Sequence, residues 1–411
     1  MSESTKPKIL IVGGGFAGVR TAAKLSRHEN LDVTLISNLS TFAYYPQFYH
    51  SATGGSRSES ALPLTDVLAK TKVRLIRDVI VGIDPQASIV SSIDGKTTYH
   101  YDKLVMALGC VTNYFGIAGL KELSYGIKSI EEAEEFKRHL HEQLLSDHQA
   151  DLNYVVVGGG PTGVELSASL GAYLRRITKL HGIQPRTNYV TLVEAAPRVL
   201  PRSNEAVSIR VKSRLESLGV KVLTSAVVKA ETADALELEG QSIATKTVVW
   251  TAGTAVNPFY YSNGAHFQLG RGGRVMVSEH LEAKDNVYVI GDNAATPFSG
   301  LALTAIRDAD YVASDIPRAL AGKPRPAYKP QAPISVVPVG KGWAVAEYKT
   351  WHLYGYLGSI LRRFADLLAY ADIERWPAAG VLQPNPYRRE DGCPICGVGE
   401  KSAPATAETK S

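Results

Sequence analysis

Two loops with the same glycine spacing are the parts of this sequence best suited to chemistry. Each follows a run of four apolar residues, at 9–12 and at 154–157, and precedes a helix-forming stretch. Glycines at GxGxxG spacing allow a tight turn, close approach of the backbone to a pyrophosphate, and a helix N-terminus that faces the phosphates. The first loop holds Gly13, Gly15, Phe16, Ala17 and Gly18, and the second holds Gly158, Gly160, Pro161, Thr162 and Gly163. Two such loops predict two dinucleotide sites, and we interpret the chain as a flavoenzyme with FAD at the first loop and a nicotinamide at the second.

The residue that ends the second strand of each nucleotide unit is expected to hold a ribose. In the first unit this residue is Ser37, whose hydroxyl hydrogen-bonds a ribose more weakly than a carboxylate does. In the second unit it is Glu194, which should bind a ribose 2′-hydroxyl and repel the extra phosphate of NADPH. We therefore predict NADH as the nicotinamide cofactor. The alternative is that Glu194 is only a solvated acid at a strand end.

Further residues are expected at the cofactors because they lie in segments that return to the glycine loops. Residues 41–55 are dense in aromatic side chains and glycine, which predicts a wall around the flavin with Pro46 and Gln47 near it. A packed loop is the alternative for this segment. Asp292 ends an apolar strand, where its carboxylate can accept hydrogen bonds from ribityl hydroxyls. Glycines that end apolar strands are Gly109 and Gly291, expected at FAD, and Gly253, expected at NADH.

These motifs require an α/β fold with two Rossmann-like dinucleotide-binding domains and a small C-terminal α+β region. The strand at 286–292 returns to the first unit, so the second unit is an insertion. We predict an FAD-binding domain at residues 1–150 and 276–325, and an NADH-binding domain at 151–275. Residues 326–391 are predicted to serve membrane association or dimerisation, followed by a flexible tail at 392–411. Residues 73–84 and 88–93 are predicted to form a small β excursion.

The amino-acid composition is that of a globular protein in a reducing compartment. The 411 residues are 45% hydrophobic and 21% charged, which is ordinary for a globular protein. A net charge of +5 is mild and does not predict binding to nucleic acid. Three cysteines argue for a reducing compartment rather than a disulfide framework. The sequence shows no signal-peptide core and no apolar run of about 18 residues that would span a membrane.

Residues 351–371 are predicted to form one amphipathic helix. Its apolar stripe is Leu353, Leu357, Ile360, Leu361, Phe364, Leu367 and Leu368, flanked by the aromatic residues Trp351, Tyr354, Tyr356, Tyr370 and Trp376. The residues expected off the stripe are His352, Ser359, Arg362, Arg363 and Asp366. An interfacial membrane helix has this pattern, with basic residues directed to anionic lipids. The alternative is a helix packed against its own domain or against a dimer partner.

Cys393 and Cys396 form a C-x₂-C pair near the end of the chain. Such a pair is half of a zinc knuckle, but a four-ligand site needs two more ligands and Cys110 is the only other cysteine. We therefore predict no metal site. A redox-active pair is the alternative function for these two thiols.

Six motifs together resemble those of the type II NADH dehydrogenases, the single-subunit NADH:quinone oxidoreductases. They are GGGFAG at 13–18, YYPQFYHSATGG at 44–55, TNYFGIAG at 112–119, GGGPTGVELS at 158–167, VTLVEAAPRVLP at 190–201 and VYVIGD at 287–292. The resemblance covers about residues 8–320 and implies FAD at the first loop and at Asp292, with NADH at the second loop. It also implies that Glu165, placed in the first turn of its helix, lies near both cofactors and handles protons. A favourable interaction with the helix dipole is the alternative.

The stretch at 302–307 departs from this family. In the family a pattern close to AQxAxQ opens the helix after the Gly-Asp strand, and its glutamines line the quinone site. Here the residues are ALTAIR, so Leu303 and Arg307 replace the glutamines. We expect the quinone near Ala302, Leu303, Ile306 and Arg307. Arg307 would either polarise a quinone carbonyl or bind another anion.

The expected function is hydride transfer from NADH to FAD and electron transfer to a membrane quinone. We expect a peripheral protein at the cytoplasmic face of the membrane, with homodimer formation as a further possibility and no nucleic-acid partner. The alternative is a soluble NAD(P)H-dependent flavoprotein reductase with a protein acceptor such as a ferredoxin. A sulfide:quinone oxidoreductase would need several reactive cysteines at the flavin, where only Cys110 could lie.

Overall fold

The computed structural model describes residues 6–184, 189–373 and 392–399. In the first part of the chain the strands are β1 (Lys8–Val12), β2 (Asp32–Ser37), β3 (Thr41–Ala43), β4 (Ala61–Pro63), β5 (Arg74–Arg77), β6 (Ile80–Asp84), β7 (Ile89–Ser92), β8 (Thr98–His100), β9 (Lys103–Met106) and β10 (Cys110–Thr112). The helices there are α1 (Phe16–Leu25), α2 (Phe48–Ser51), α3 (Leu64–Leu68), α4 (Leu120–Leu123) and α5 (Ile130–Asp147).

The middle of the chain holds the strands β11 (Tyr154–Val157), β12 (Val190–Val193), β13 (Val220–Leu223), β14 (Val228–Glu231), β15 (Ala235–Leu238), β16 (Gln241–Ala244), β17 (Thr247–Trp250), β18 (Thr254–Val256), β19 (Glu282–Lys284) and β20 (Val287–Val289). Its helices are α6 (Pro161–Leu180), α7 (Glu205–Ser217), α8 (Phe259–Ser262) and α9 (Ala302–Leu320). The last elements are β21 (Ser335–Pro338), β22 (Ala344–Tyr348), β23 (Trp351–Gly355) and α10 (Tyr356–Ile373).

Two mainly parallel sheets form the frame of the molecule. The first has the order β19-β20-β9-β1-β2-β5, with only the β19–β20 pair antiparallel. The second has the order β13-β12-β11-β17 and is parallel throughout. β11, β12 and β17 are buried at every residue, as expected for parallel strands covered on both faces. The predicted α/β fold class with two Rossmann-like units is confirmed.

The first sheet takes strands from both sides of the second unit in the sequence. β1, β2, β5 and β9 precede the second unit, whereas β19 and β20 follow it. A short antiparallel ribbon of β10 and β18 joins the two units, with Val111 opposite Ala255. The two glycine loops, which follow β1 and β11, are therefore held on one continuous scaffold.

The predicted β excursion differs from the structure at its start. Residues 73–84 form two strands, and β5 joins the first sheet parallel to β2, where Leu35 pairs with Leu75. The excursion itself is the antiparallel sheet β6-β7-β8, which includes a strand after the turn at Asp94. Alternating apolar residues at 73–84 could not distinguish one bent strand from two strands in different sheets.

The C-terminal region is an antiparallel sheet, β21-β22-β23, followed by α10. The prediction of one helix over 351–371 is wrong in its first turn and a half, because Trp351–Gly355 forms β23 and pairs with β22. Gly355 has a φ of +77°, a left-handed conformation suited to glycine, and α10 starts at the next residue. Val337 and Val345 join the hydrophobic core of the second unit, which anchors this sheet.

Some predictions fall outside the described residues. They concern Trp376 and the segments 185–188, 374–391 and 400–411. Among the described residues, no helix combines the length and the apolar character needed to cross a membrane.

Candidate active site

The first glycine loop is built so that a phosphate group can approach its backbone. A methyl group on Gly18 would lie 1.8 Å from the carbonyl oxygen of Gly13, so only glycine lets α1 pack this closely. Gly13 itself has a φ of +120°, which also requires glycine. Gly15 is the N-cap of α1, no side chain caps the helix, and a methyl group there would meet open space. The uncapped N–H groups of this helix therefore point at a place that an anion can occupy.

The second loop repeats this construction. A methyl group on Gly163 would lie 1.9 Å from the carbonyl oxygen of Gly158, whereas one on Gly160 would meet open space. Gly160 is the N-cap of α6 and Pro161 is its first residue, where the missing N–H costs nothing. Both loops thus present an uncapped helix N-terminus beside a glycine with room in front of it.

Glu194 lies directly against the second loop. Its Oε2 accepts a hydrogen bond of 2.5 Å from the backbone N–H of Gly159, and its Oε1 accepts one of 2.7 Å from Ala196. A carboxylate oxygen can accept more than one donor, so the side chain remains able to accept from a ribose hydroxyl. The structure therefore does not support the alternative of a merely solvated acid at a strand end.

A cavity of about 430 Å³ opens between the two units and contains most of the residues predicted for FAD. Those that line it are Gly13, Gly15, Phe16, Ala17, Ser37, Gly109, Gly291 and Asp292. The second unit contributes Thr162, Trp250, Thr251 and Gly253 to the same cavity. The donors and acceptors fit a dinucleotide with a polyol chain, because an open helix N-terminus and the Asp292 carboxylate share one wall.

The cavity wall also contains Cys110, which was expected near the flavin, and two polar residues that were not predicted, Lys128 and Asp78. Lys128 Nζ donates to Cys110 Sγ at 2.8 Å, and the Cys110 thiol donates to Asp292 Oδ2 at 2.9 Å. Burial raises the pKa of the Cys110 thiol, and the charge of Asp292 adds to this effect. Asp78 also lines the cavity. Lys128 could have been suspected because it directly precedes Ser129, the N-cap of α5.

Pro46 and Gln47 lie next to the cavity wall rather than in it. Their neighbours Tyr45 and Phe48 line the cavity, which fits the predicted aromatic wall. The carbonyl oxygen of Pro46 instead accepts a hydrogen bond of 2.7 Å from Arg362, and Gln47 Nε2 donates to Asp366 Oδ2 at 3.1 Å. The segment therefore presents one set of residues to the cavity and another to α10.

Glu165 lies one turn beyond Thr162 on α6 and belongs to a buried charged cluster. It is just past the first turn of α6, not in it, so the helix dipole explains less of its presence than expected. Arg362 Nη1 lies 3.4 Å from Glu165 Oε1, and Arg362 Nε donates to Asp366 Oδ2 at 2.9 Å. Burial raises the pKa of Glu165 to about 8, although the nearby Arg362 opposes this rise. Glu165 is therefore suited to hold a proton at neutral pH.

Asp366 and Arg362 contradict the prediction that both lie on an exposed polar side of α10. Both were expected on the outer, polar face, yet Asp366 is buried and also accepts from Tyr44 OH at 2.9 Å. Arg362 additionally donates to the carbonyl oxygen of Val336 at 3.0 Å. Four residues of the predicted apolar stripe face outward, with Leu357 60%, Ile360 47%, Phe364 54% and Leu368 45% exposed. Arg362 thus serves the interior and cannot contact lipid headgroups.

The start of α9 differs in part from the prediction for the quinone. Ala302 lines the cavity, and Leu303 and Ile306 are half-buried beside it on the helix. Arg307 Nη1 donates to the carbonyl oxygens of Gln331 at 2.8 Å and Ala332 at 3.3 Å. Its charge therefore binds the linker after α9, which contradicts the expected role toward a quinone or an anion.

Three comparisons place the chain among known proteins. The family model described as pyridine nucleotide-disulphide oxidoreductase matches residues 7–309. A curated type II NADH:quinone oxidoreductase of Staphylococcus aureus (strain NCTC 8325 / PS 47) is 31% identical over 347 residues, covering 79% of this chain and 85% of the relative. The same figures hold for the protein of that name from strain COL.

Solved structures share the fold at lower identity. NDH2 from Plasmodium falciparum in complex with NADH has a TM-score of 0.81 at 17% identity, covering 92% of this chain and 97% of that one. The sulfide:quinone oxidoreductase of Aquifex aeolicus has a TM-score of 0.76 at 20% identity, covering 90% and 92%. With the model match over most of the chain and the 31% identity above, the chain belongs to the pyridine nucleotide-disulphide oxidoreductases and, within them, to the type II NADH:quinone oxidoreductases.

Proposed function

We propose that this protein oxidises NADH, transfers the hydride to FAD and passes the two electrons to a quinone in the membrane. The observation that carries the proposal is that residues of both nucleotide units line one cavity. Thr162, Thr251 and Gly253 of the second unit line the same space as the first loop. Dinucleotides held by the two units would therefore share this space. FAD supplies the two-electron chemistry when bound, and the chain supplies binding, orientation and protons.

The residues proposed to hold the cofactors follow from this geometry. For FAD they are Gly13, Gly15, Phe16, Ala17, Ser37, Gly109, Gly291 and Asp292, while Gly18 lets α1 pack on the loop. For NADH they are Gly158, Gly160, Pro161, Thr162, Gly163, Glu194 and Gly253. Pro46 and Gln47 support the site through α10.

Proton supply is the proposed role of Glu165. NADH, one proton and a quinone give NAD⁺ and a quinol, so each turnover takes one proton from solvent. Glu165 is nearly buried, with 9% of its surface exposed, and burial raises its pKa to about 8. Its carboxyl group therefore carries a proton at neutral pH, on the helix face that also bears Thr162 of the cavity wall.

The quinone is proposed to meet the first turns of α9. Leu303 and Ile306 offer apolar surface there, and the Thr304 hydroxyl is buried without a hydrogen-bond partner among the described residues. A buried hydroxyl without a partner is costly, and a carbonyl group of a ligand would satisfy it. We therefore propose that the Thr304 hydroxyl, rather than Arg307, makes the polar contact to the quinone.

Membrane association is proposed to occur through the outer face of α10. The face consists of Leu357, Ile360, Phe364 and Leu368, and Tyr356 at the start of the helix is 69% exposed. An exposed apolar helix face of this kind suits the interface of a bilayer, where burial yields roughly 25 cal/mol per Å². Because NADH is supplied inside the cell, we place the protein at the cytoplasmic face of the membrane. A homodimer that covers the same face is the second candidate.

Turnover with different acceptors tests the proposal. Full-length protein loaded with FAD is assayed with NADH and a panel of quinones, and separately with ferredoxin. We expect rapid quinone reduction and cosedimentation with liposomes. Rapid ferredoxin reduction without quinone reduction would overturn the proposal in favour of a soluble reductase. A dimer in solution that does not bind liposomes would assign the outer face of α10 to dimerisation.

A further inference from the structure

Three side chains that can bind metals converge at a place remote from the cavity. His141 lies on α5, His181 caps the C-terminal end of α6, and Cys393 belongs to the segment 392–399. One ligand atom from each, an imidazole nitrogen or the thiol sulfur, lies within 4.8 Å of the other two. His141 and Cys393 are fully buried. Segments from three distant parts of the chain therefore bring nitrogen and sulfur ligands to one point.

The two imidazoles are arranged as a pair of metal ligands. His141 Nδ1 lies 2.9 Å from His181 Nε2, and the other ring nitrogen of His141 lies 3.0 Å from Tyr173 OH. A hydrogen-bond partner at the second nitrogen of a ligating histidine fixes the ring orientation, and the Tyr173 hydroxyl can serve in this way here.

The cysteine segment has the backbone of a metal-binding turn. The N–H of Cys396 donates to Cys393 Sγ at 3.3 Å, and the N–H of Gly397 donates to the carbonyl oxygen of Cys393 at 3.0 Å. Gly397 has a φ of +69°, which suits the tight turn after the second cysteine. Cysteine binds metal as the thiolate, and the N–H of Cys396 is directed at this sulfur.

This segment is docked at the end of α6. A methyl group on Gly399 would lie 2.7 Å from a methyl carbon of Leu180, the residue before His181. The close approach brings the C-x₂-C pair to the two histidines. No metal site was predicted from the sequence because the C-x₂-C pair lacked two ligands. The fold supplies two histidines from α5 and the end of α6, which are distant in the sequence.

We propose that His141, His181, Cys393 and Cys396 bind one structural zinc ion. Two sulfur and two nitrogen ligands in a tetrahedral site select zinc among the common metals. Zinc–nitrogen bonds of about 2.0–2.1 Å and zinc–sulfur bonds of about 2.3 Å place such ligand atoms roughly 3.3–3.8 Å apart. The two imidazole nitrogens are 2.9 Å apart, and the ligand atoms of His141, His181 and Cys393 all lie within 4.8 Å of one another. These two values lie on either side of the expected range. Cys396 takes the fourth position by rotation of its exposed side chain.

The ion would fasten the end of the chain to α5 and α6. Binding converts two thiols to thiolates and releases two protons to solvent, and the oxidation states of sulfur and metal do not change. All four positions are filled by protein, so the site has no place for a substrate. Its effect is on stability, because the ion closes a loop of more than two hundred residues between His181 and Cys393.

Metal content of the full-length protein tests the proposal. Reduced protein is dialysed against EDTA, and zinc and FAD are measured per chain. We expect about one zinc per chain in the unaltered protein and in Ile395→Ser, which changes the same turn without removing a ligand. Cys396→Ser and His181→Ala should lose the zinc but keep FAD, which shows that they fold. Cobalt added to metal-free protein should give the visible bands of tetrahedral coordination and thiolate-to-cobalt charge transfer, and Cys393→Ser should abolish that charge transfer.

Three results would overturn the proposal. One is unaltered protein that holds no zinc and gives no tetrahedral cobalt spectrum after reduction. Another is zinc content in Cys396→Ser and His181→Ala equal to that of Ile395→Ser. The third is a Cys393–Cys396 disulfide in protein purified without reductant, detected by peptide mass, which would favour the redox pair. None of these measurements depends on NADH or quinone turnover, so the outcome is independent of the proposed function.

Discussion

At the scale of single residues, the position of Arg362 bears on the pKa of Glu165. Arg362 Nε lies 2.9 Å from Asp366 Oδ2, whereas its Nη1 lies 3.4 Å from Glu165 Oε1. The closer contact pairs the arginine mainly with Asp366. Glu165 is thus left with weak compensation for its burial, and its pKa rises to about 8. The neighbouring ion pair keeps Glu165 in its protonated form.

Replacing Glu165 by glutamine should remove a proton donor from the cycle. We expect quinone turnover to fall on the order of 10²-fold, and the decline of activity above about pH 8 to disappear. Glu231→Gln is a matched control, since burial also raises the pKa of Glu231 to about 8 but this residue lies on β14, away from Arg362 and Asp366. The measurement is kcat against pH for the three proteins. An unchanged pH profile in Glu165→Gln would exclude this residue as the donor.

The same ionisation affects stability. The pKa of Glu165 is raised from its ordinary 4.5 to about 8, so the folded protein binds more protons between these values than the unfolded chain. The stabilising contribution of this group is therefore complete at low pH and is lost as pH rises toward 8. In urea unfolding experiments, Glu165→Gln should reduce the change in the free energy of unfolding between pH 4.5 and about pH 8.

Glu194 should decide between the two nicotinamide cofactors. Its two oxygens already accept from Gly159 and Ala196, so the charge is held at the end of β12. Glu194→Gln keeps one acceptor oxygen and removes the negative charge. We expect the preference for NADH over NADPH to fall roughly 10-fold, as for the loss of one charged hydrogen bond. Steady-state kcat/KM with each cofactor gives the answer, and equal efficiency in the unaltered protein would contradict the assignment.

At the scale of elements, α10 connects three parts of the molecule. Arg362 joins it to the 44–48 segment through Pro46, to β21 through Val336 and to α6 through Glu165. Tyr370 OH adds a hydrogen bond to the backbone of Glu59. The helix therefore stabilises the wall of the cavity with its polar side, while its apolar side remains outside.

Arg362→Met should destabilise the protein strongly. The change leaves Asp366 and Glu165 buried without a cation, and breaking a buried pair costs about 3–5 kcal/mol. Urea unfolding should show this loss, and Arg363→Met, at an exposed neighbouring position, is the control. If the variant still folds, the apparent pKa of Glu165 in its pH–rate profile should be higher than in the unaltered protein. The positive charge of Arg362, which lowers the pKa of Glu165, is then absent. A pKa that falls or stays would contradict the described pairing.

Membrane binding should depend on the outer residues of α10. Leu357→Ser and Phe364→Ser together should reduce liposome binding by at least 10-fold, since each buried side chain contributes about 1.5–3 kcal/mol. Ile209→Ser removes an equally exposed apolar residue from α7 and should change nothing. Arg363→Gln should weaken binding only to anionic liposomes and only at low salt. Loss of binding in Ile209→Ser, or full binding in the double variant, would reject α10 as the contact.

At the scale of the whole molecule, sequence patterns predict motifs formed by neighbouring residues. They do not predict contacts between segments that are distant in the sequence. The two glycine loops follow buried strands and precede helices as predicted, because each pattern lies within one βα unit. The polar side of α10 was predicted wrongly, because a helical stripe does not show that Arg362 and Asp366 turn toward the interior. The partner of Asp366 at Tyr44 is 322 residues away. The convergence of His141 and His181 on Cys393 is likewise invisible in the sequence.

The outward apolar face of α10 has a consequence for the kinetics. An enzyme held at a lipid surface meets its hydrophobic acceptor by two-dimensional diffusion, so the relevant concentration is a mole fraction in the bilayer. Diluting the vesicles with buffer should leave turnover with a long-chain quinone unchanged while the enzyme stays bound. Adding inert lipid at constant total quinone should slow it. A soluble short-chain quinone should show the opposite dependence, with the rate following bulk concentration.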